Sequence, residues 1–267
     1  MSDHDSTASR QRISRRSMLG LLGASGVGVA IGASGGIAVD RHIRSPEVTA
    51  TITDTNEKTY DFDGPHQAGI ITEAQDRLHF AAFDFDEGAT REAVIDLLER
   101  WTAAARRLTL GGETSARGAF GGGPNFPPDD SGEAFDLGPS GLSLTFGFGR
   151  TFFRTADGTD RFGIADRMPA DFTELPVMAN DFIQPELSDG DLCIQACADD
   201  PQVASHAIRN LTRMAVGTAV LRWSQLGFGR TSSTTVSQKT PRNLFGQKDG
   251  TANIKAEESD RVCCTCR

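Results

Sequence analysis

One carboxylate near the far end of the chain stands where proton chemistry would need it. Asp249 lies in Gly246-Gln247-Lys248-Asp249-Gly250 and is followed by Thr251, Ala252 and Asn253. A glycine on each side lets the backbone take positive φ and approach a flat ligand closely. A carboxylate fixed on such a loop could pass a proton to and from a reacting group. With an ordinary pKa of about 4 it stays ionised in acid, where an imidazole is protonated. The same spacing also reads as a tight hairpin turn, for which Asp-Gly is a strong signal.

Other chemistry-bearing residues are few. Cys263, Cys264 and Cys266 crowd into the last residues, where a Cys-x-Cys pair would suit a metal or redox exchange. The abrupt change in composition reads in preference as a tail that is not native coding sequence. Cys193 and Cys197 share one face of a strand about 13 Å apart, too far for a disulfide, and read as small buried apolar residues. Of the histidines, His4, His42 and His66 lie before the folded body. His79, between Leu78 and Phe80, reads as a satisfied structural residue. His206 lies opposite the apolar stripe of a helix, solvated or packed against a neighbouring element. None reads as a metal ligand.

The elements that must position these residues follow from periodicity. Leu78 to Phe85 is apolar on both faces, as a central strand is. From Thr90 to Leu108, Val94, Leu97, Leu98, Trp101, Ala104, Ala105 and Leu108 form one helical stripe, with Thr90 as N-cap and Gly111-Gly112 as the stop. Residues 111–141 hold nine Gly and four Pro and read as a mobile insertion. Leu142, Leu144, Phe146 and Phe148 alternate with polar or small residues, predicting a half-buried strand. Asp191 to Cys197 predicts another. Asp200-Pro201 opens a second helix with Val203, Ala204, Ala207, Ile208, Leu211, Met214 and Ala215 as its stripe, closed by Gly217. Thr218 to Trp223 predicts the last strand. Both Trp101 and Trp223 are assigned to the core.

Strand, helix, strand, strand, helix, strand is the ferredoxin-like arrangement, an α+β fold in which an antiparallel sheet carries both helices on one face. This places a ferredoxin-like domain at 67–224, after a polar linker at 40–66. Residues 1–39 read as an export signal: Ser14-Arg15-Arg16-Ser17-Met18-Leu19 precedes an uncharged, Gly-rich run, the pattern of the twin-arginine route. A membrane anchor is the other reading of that run. It implies a periplasmic, extracellular or cell-envelope destination. The formal charge of −9 repels phosphate backbones and excludes nucleic acid as a partner.

Two strings together point to a family. Arg222-Trp223-Ser224-Gln225-Leu226-Gly227-Phe228-Gly229-Arg230-Thr231, with Gly246-x-x-Asp249-Gly250 after it, resembles the dye-decolourising haem peroxidases, and within them the exported deferrochelatase/peroxidase subgroup. The resemblance runs from about Pro65 to Lys255. It implies haem b as cofactor, hydrogen peroxide with a bulky phenolic or dye reductant as substrates, and, for the subgroup, iron release from haem during iron uptake. It leaves room for membrane-associated iron-uptake partners and for an oligomer. By the same resemblance Asp249 corresponds to the distal acid-base residue, and Gly250, Thr251 and Ala252 to positions lining the haem. Gln247 departs from the family pattern, which has an aromatic residue there.

The family also implies a proximal His and a distal Arg well downstream of the motif, and this sequence contains no residue at either position. Residues 225–267 are therefore expected to be the truncated beginning of a second, haem-binding ferredoxin-like domain. The chain as written is expected to bind haem poorly and to turn over little peroxide. The alternative is an exported, non-catalytic binding or assembly domain.

Overall fold

The computed structural model describes residues 55–64, 67–70, 72–228, 240, 242, 243, 245–248, 250, 255 and 257. The proposed export signal, residues 40–54 of the linker, His66, Asp249, Thr251, Ala252 and the Cys-rich end lie outside the described residues.

The apolar run expected to be a central strand is one: β1 (Arg77–Phe85) pairs antiparallel on both sides, with β3 (Leu192–Ala198) and with β4 (Ala219–Phe228). The alternating segment 143–148 forms β2 (Ser143–Phe148), the partner of β3. Spatial order is β2-β3-β1-β4, so β2 and β4, each reached through a long helix, lie at the two edges. This is the ferredoxin-like topology that the element order implied.

The helices start and stop where their caps dictate. Thr90 caps α1 (Arg91–Leu108), its hydroxyl accepting from Ala93 N at 3.2 Å. Glu92 in the first turn and Arg106 and Arg107 in the last complement the helix dipole. Gly111 ends it at φ +75°, where a Cβ would meet the Pro139 ring at 2.8 Å, so only glycine fits. A single turn, α2 (Arg150–Phe153), follows β2. Asp200 caps α3 (Pro201–Ala215) by accepting from Gln202 N and Val203 N, with Pro201 at the first helical position.

Both long helices lie on one face of the sheet. Ala81, Phe83 and Phe85 of β1 and Leu192, Ile194 and Ala196 of β3 pack against Leu97, Trp101 and Ala104 of α1 and Ala204, Ala207 and Leu211 of α3. Trp101 sits at the centre, its rings 5.5 Å from Phe83 and 5.7 Å from Phe146, its indole N–H donating to Leu211 O at 2.9 Å. Burying such a side chain contributes roughly 1.5–3 kcal/mol, and the indole donor is not left unpaired.

Three details differ from expectation. β4 does not stop at Trp223 but continues to Phe228, because Ser224, Gln225, Leu226, Gly227 and Phe228 all find register partners along β1. Polar Ser224 and Gln225 interrupt the apolar pattern, and tertiary pairing overrides that signal. Trp223 is not in the helix-side core. Its partner across the ladder is Ala82, on the opposite face, and it stacks on Phe80 at 5.2 Å, half-buried. Finally, part of the expected linker belongs to the folded body. Ser140 N donates to Asn56 O at 3.0 Å, Gly141 N to Lys58 O at 2.6 Å, and Asp63 pairs with Arg106 of α1.

Candidate functional site

The segment that carries the Gly-x-x-Asp-Gly pattern is a compact turn headed by Asn243. The Asn243 side-chain oxygen accepts from Phe245 N and Gln247 N, both at 3.1 Å, while Asn243 N donates to Gln247 O and Gly246 N to Asn243 O, both at 2.9 Å. An isolated antiparallel bridge joins Arg242 to Lys248, and Arg242 Nη1 donates to Gly246 O at 2.7 Å. Gly246 and Gly250 both take positive φ, +78° and +73°. Nothing lies within 4 Å of a Cβ built on Gly246, so the glycine is there for its dihedral and not for a close neighbour. The described part of this motif is thus the tight turn of the hairpin reading. Of the four sequence-predicted site residues only Gly250 is described, its carbonyl accepting from Lys255 Nζ at 3.2 Å; Asp249, Thr251 and Ala252 are not among the described residues.

The two described histidines divide sharply. His206 on α3 is 5% exposed, and its Nε2 lies 2.7 Å from Asp130 Oδ1. The Asp130 carboxylate, wholly buried, also accepts from Thr114 N at 2.9 Å and Gly132 N at 2.7 Å. Burial pushes this carboxyl up, but the hydrogen bonds from His206, Thr114 and Gly132 outweigh it and hold its pKa below the usual carboxylate value. One turn along α3, Asn210 accepts from Ser131 N at 3.0 Å and donates to Ser131 Oγ at 2.7 Å. Arg213 then reaches Pro128 O at 2.8 Å. The Gly- and Pro-rich segment expected to be a mobile insertion is therefore fastened to α3 by a polar ladder, buried at His206 and Asn210 and exposed at Arg213.

His79 on β1 was expected to be satisfied, and it is not. It is half-buried, its Nδ1 is enclosed without a hydrogen-bond partner, and burial lowers its pKa. Cys193 and Cys197 are free thiols on the sheet face away from the helices, half-buried and with pKa values raised by burial.

The described residues do not fit a haem iron. His206 has its Nε2 taken by Asp130, and His79 lies in the middle strand between Ala196 and Leu226. Among the described residues no group of three or more His, Cys, Asp or Glu side chains could hold a metal ion. The apolar groove on the outer face of α1, lined by Ile95, Leu98, Glu99, Thr102, Ala103 and Arg106, contains neither His nor Cys. No helix of the described residues is long and apolar enough to cross a membrane.

Asp130, Arg150 and Arg222 were missed in the sequence. A signal for the first was present: His206 and Asn210 stand four apart beside the apolar stripe, a pair of polar residues that a buried partner would use.

Against known proteins, residues 67–229 match the family model described as Dyp-type peroxidase, N-terminal. The chain is 32% identical over 243 residues to a deferrochelatase of Yersinia pseudotuberculosis, covering 90% of this chain and 53% of that protein. It is likewise 32% identical over 244 residues to a deferrochelatase of Escherichia coli K12, covering 90% and 54%. Among solved structures, a DyP-type peroxidase from Streptomyces coelicolor superposes with a TM-score of 0.64 at 39% identity, over 77% of this chain and 51% of that one. An oxyferrous complex of DtpA from Streptomyces lividans gives 0.64 and 39% over 78% and 52%. The chain spans about half the length of the curated relatives it matches.

Proposed function

Because the chain belongs to the Dyp-type peroxidase family, we propose that it is the sheet-bearing part of a haem b peroxidase that uses hydrogen peroxide to oxidise a bulky organic reductant. The observation that carries this reading is the 39% identity to the Streptomyces coelicolor DyP-type peroxidase, at a TM-score of 0.64 over 77% of the chain. The names of the curated relatives support a finer version, in which haem itself is a substrate and its iron is released during iron uptake.

In this reading Asp249 is the carboxylate that moves a proton between the two oxygens of hydrogen peroxide. The Asn243-headed turn fixes the approach to it. Gly250, at positive φ, gives the backbone room beside the cofactor's plane, and Thr251 and Ala252 line it by the family resemblance. His206 is committed to Asp130, and in this reading the proximal His that the family implies comes from the remaining half of the family fold, so that the 267-residue chain alone binds haem weakly. Residues 1–39 carry the folded protein out by the twin-arginine route, to the periplasm or cell envelope.

The test is direct. Haemin is titrated into the 267-residue chain and into a chimera in which residues 1–253 continue into the remainder of the Streptomyces coelicolor relative. A Soret band and peroxide-dependent dye oxidation are expected from the chimera and not from the chain alone. Asp249→Asn in the chimera should lower turnover by about 100-fold or more, the scale of general acid-base catalysis. Full activity from the chain alone, or a chimera indifferent to Asp249→Asn, overturns the corresponding part. The second reading, an exported non-catalytic assembly domain, is favoured by a core that closes without any iron ligand. It predicts a chimera that folds and never takes up haem.

A further inference from the structure

Residues 55–63 precede β1, yet they are built into the surface of the sheet domain. The stretch opens with a single turn, Thr55–Glu57. Ser140 N then donates to Asn56 O at 3.0 Å and Gly141 N to Lys58 O at 2.6 Å, which lays the stretch along the approach to β2. That approach is shaped to receive it. A Cβ on Gly138 would lie 2.6 Å from Asn56 O, and one on Gly141 would press on the Lys58 stem at 3.2 Å. Both glycines also take positive φ, +69° and +63°, so glycine serves the dihedral and the close approach together.

Side chains complete the fit. Lys58 Nζ lies 3.6 Å from Asp199 Oδ2, just past β3, and 3.8 Å from Glu73 Oε2. Asp199 N in turn donates to Ser140 O at 2.8 Å. The Arg106 guanidinium, at the end of α1, stands over the Phe62 ring, 4.4 Å from its centroid, and pairs with Asp63. The partners thus come from α1, the approach to β2 and the exit of β3, and they meet only when those elements are in place. Exposed ion pairs are individually weak. The stretch therefore closes on a folded body and has little to hold it to an unfolded one.

We propose that residues 55–63 are a latch closed only by the folded body, and that the latch sets the processing boundary of the exported chain. The leader is removed ahead of Thr55, and the latch stays on the mature protein. Nicking needs backbone that is untied, and the Asn56 and Lys58 carbonyls are tied. The step is hydrolysis of one peptide bond by an envelope peptidase, water giving a hydroxyl to the new carboxyl end and a proton to the new amine. The boundary rests on the export reading above; the latch rests on its contacts alone.

The test has two arms. In the first, the 267-residue chain and its triple variant Lys58→Ala, Phe62→Ala, Asp63→Ala are digested with subtilisin and the fragments are mapped by mass. Cutting within 55–63 should be about tenfold or more faster in the variant, while amide exchange over α1 stays the same in both. Equal cutting within 55–63 overturns the latch. The unaltered chain gives a second measurement that needs no substitution. The Ser140 and Gly141 amides should exchange about tenfold or more slowly than those of 175–183, and equal exchange overturns the latch. In the second arm the chain is expressed in a host with the twin-arginine route, and the N-terminus of the exported protein is read by mass spectrometry. A shortened chain beginning no later than Thr55 is expected, with further starts inside 56–63 for the variant. A start inside 56–63 or beyond it in the unaltered chain, or export without cleavage, overturns the boundary. A chain that stays uncleaved in the cytoplasm removes the export reading and the boundary with it, and the latch is then decided by the first arm.

Discussion

Two long irregular segments of this domain, one rich in Gly and the other in acidic residues, are held by opposite physics. Residues 111–141, between α1 and β2, are fastened through Asp130 to the buried His206 and Ser131 to the buried Asn210, with Arg213 adding an exposed contact to Pro128 O. Residues 168–190, ahead of β3, are fastened mainly through their backbone carbonyls, by Arg150, Arg222 and Trp223, whereas Phe162 before them is buried in the core. The first buries Asp130 against His206 and two backbone N–H groups, though Glu133 Oε2 is enclosed there without a partner; the second turns Leu175, Val177 and Phe182 outward. A buried pair costs desolvation and tolerates no loss of a partner, whereas a carbonyl clasp at the surface exchanges cheaply with water. The first segment thus behaves as part of the core, and the second as a presented surface.

The comparison is broken most severely at Asp130. Asp130→Ala removes three hydrogen bonds and leaves the buried His206 without its partner. Urea unfolding should show a loss of about 3–5 kcal/mol, the scale for breaking a buried pair by removing one member. Its pH dependence follows from the direction of the shift. The folded-state carboxyl lies below its ordinary value of 3.8, so the stabilisation is fully present above the unfolded pKa and is lost as pH falls through the folded one. Asp130→Asn should flatten that part of the acid limb of stability against pH, below about 4; a limb of unchanged slope would show that other carboxylates set it.

Next comes Asn210, which is fully buried and holds Ser131 through both ends of its amide. Asn210→Ala strands the Ser131 N–H and should cost about 1–3 kcal/mol in the same unfolding experiment. It should also expose residues 111–141 to limited proteolysis, which in the native protein is expected to cut 175–183 first.

The two segments also show where sequence reading stops. The strands and helices were legible because burial on one face imposes a period, and caps such as Thr90 and Asp200 were legible because they satisfy neighbours two or three residues away. Asp130 was marked only indirectly, by His206 and Asn210 on α3, since its partner is 76 residues distant and nothing in Asp129-Asp130 marks one carboxylate as wholly buried and the other as half-buried. The extension of β4 to Phe228 was hidden for a like reason, its partners lying in β1. Of the site, the Gly246 and Gly250 dihedrals were legible in the residue type itself. Asp249, Thr251 and Ala252 rest on family resemblance, because a catalytic role depends on what a side chain faces and not on its spacing.

Weaker effects belong to the second segment. Arg222 is the extra residue of a β-bulge, between Leu221, which pairs with Phe83, and Trp223, which pairs with Ala82. That geometry leaves its guanidinium free to join Asp84 Oδ2 at 2.9 Å to the carbonyls of Pro185 and Ser188. The pair is partly exposed and screened, so Arg222→Met should cost only about 1 kcal/mol in stability. Amide exchange over 185–189 should nevertheless accelerate while exchange over 111–141 does not move. Parallel acceleration in both segments would mean that they unfold together and the contrast between them is false.

The smallest effect sharpens the contrast most. Leu175→Ser and Phe120→Ser each remove an exposed apolar side chain, one from each segment. Phe120 stands edge-on against Phe135 at 5.1 Å, so even the exposed part of the first segment packs on itself. Its loss should cost about 0.5–1.5 kcal/mol, the worth of an aromatic pair. Leu175 is almost fully in water, and replacing it should change the stability of the 267-residue chain by less than about 0.5 kcal/mol. If Leu175→Ser proves the costlier of the two by chemical denaturation, the second segment contributes to the fold of this chain and is not merely a presented surface.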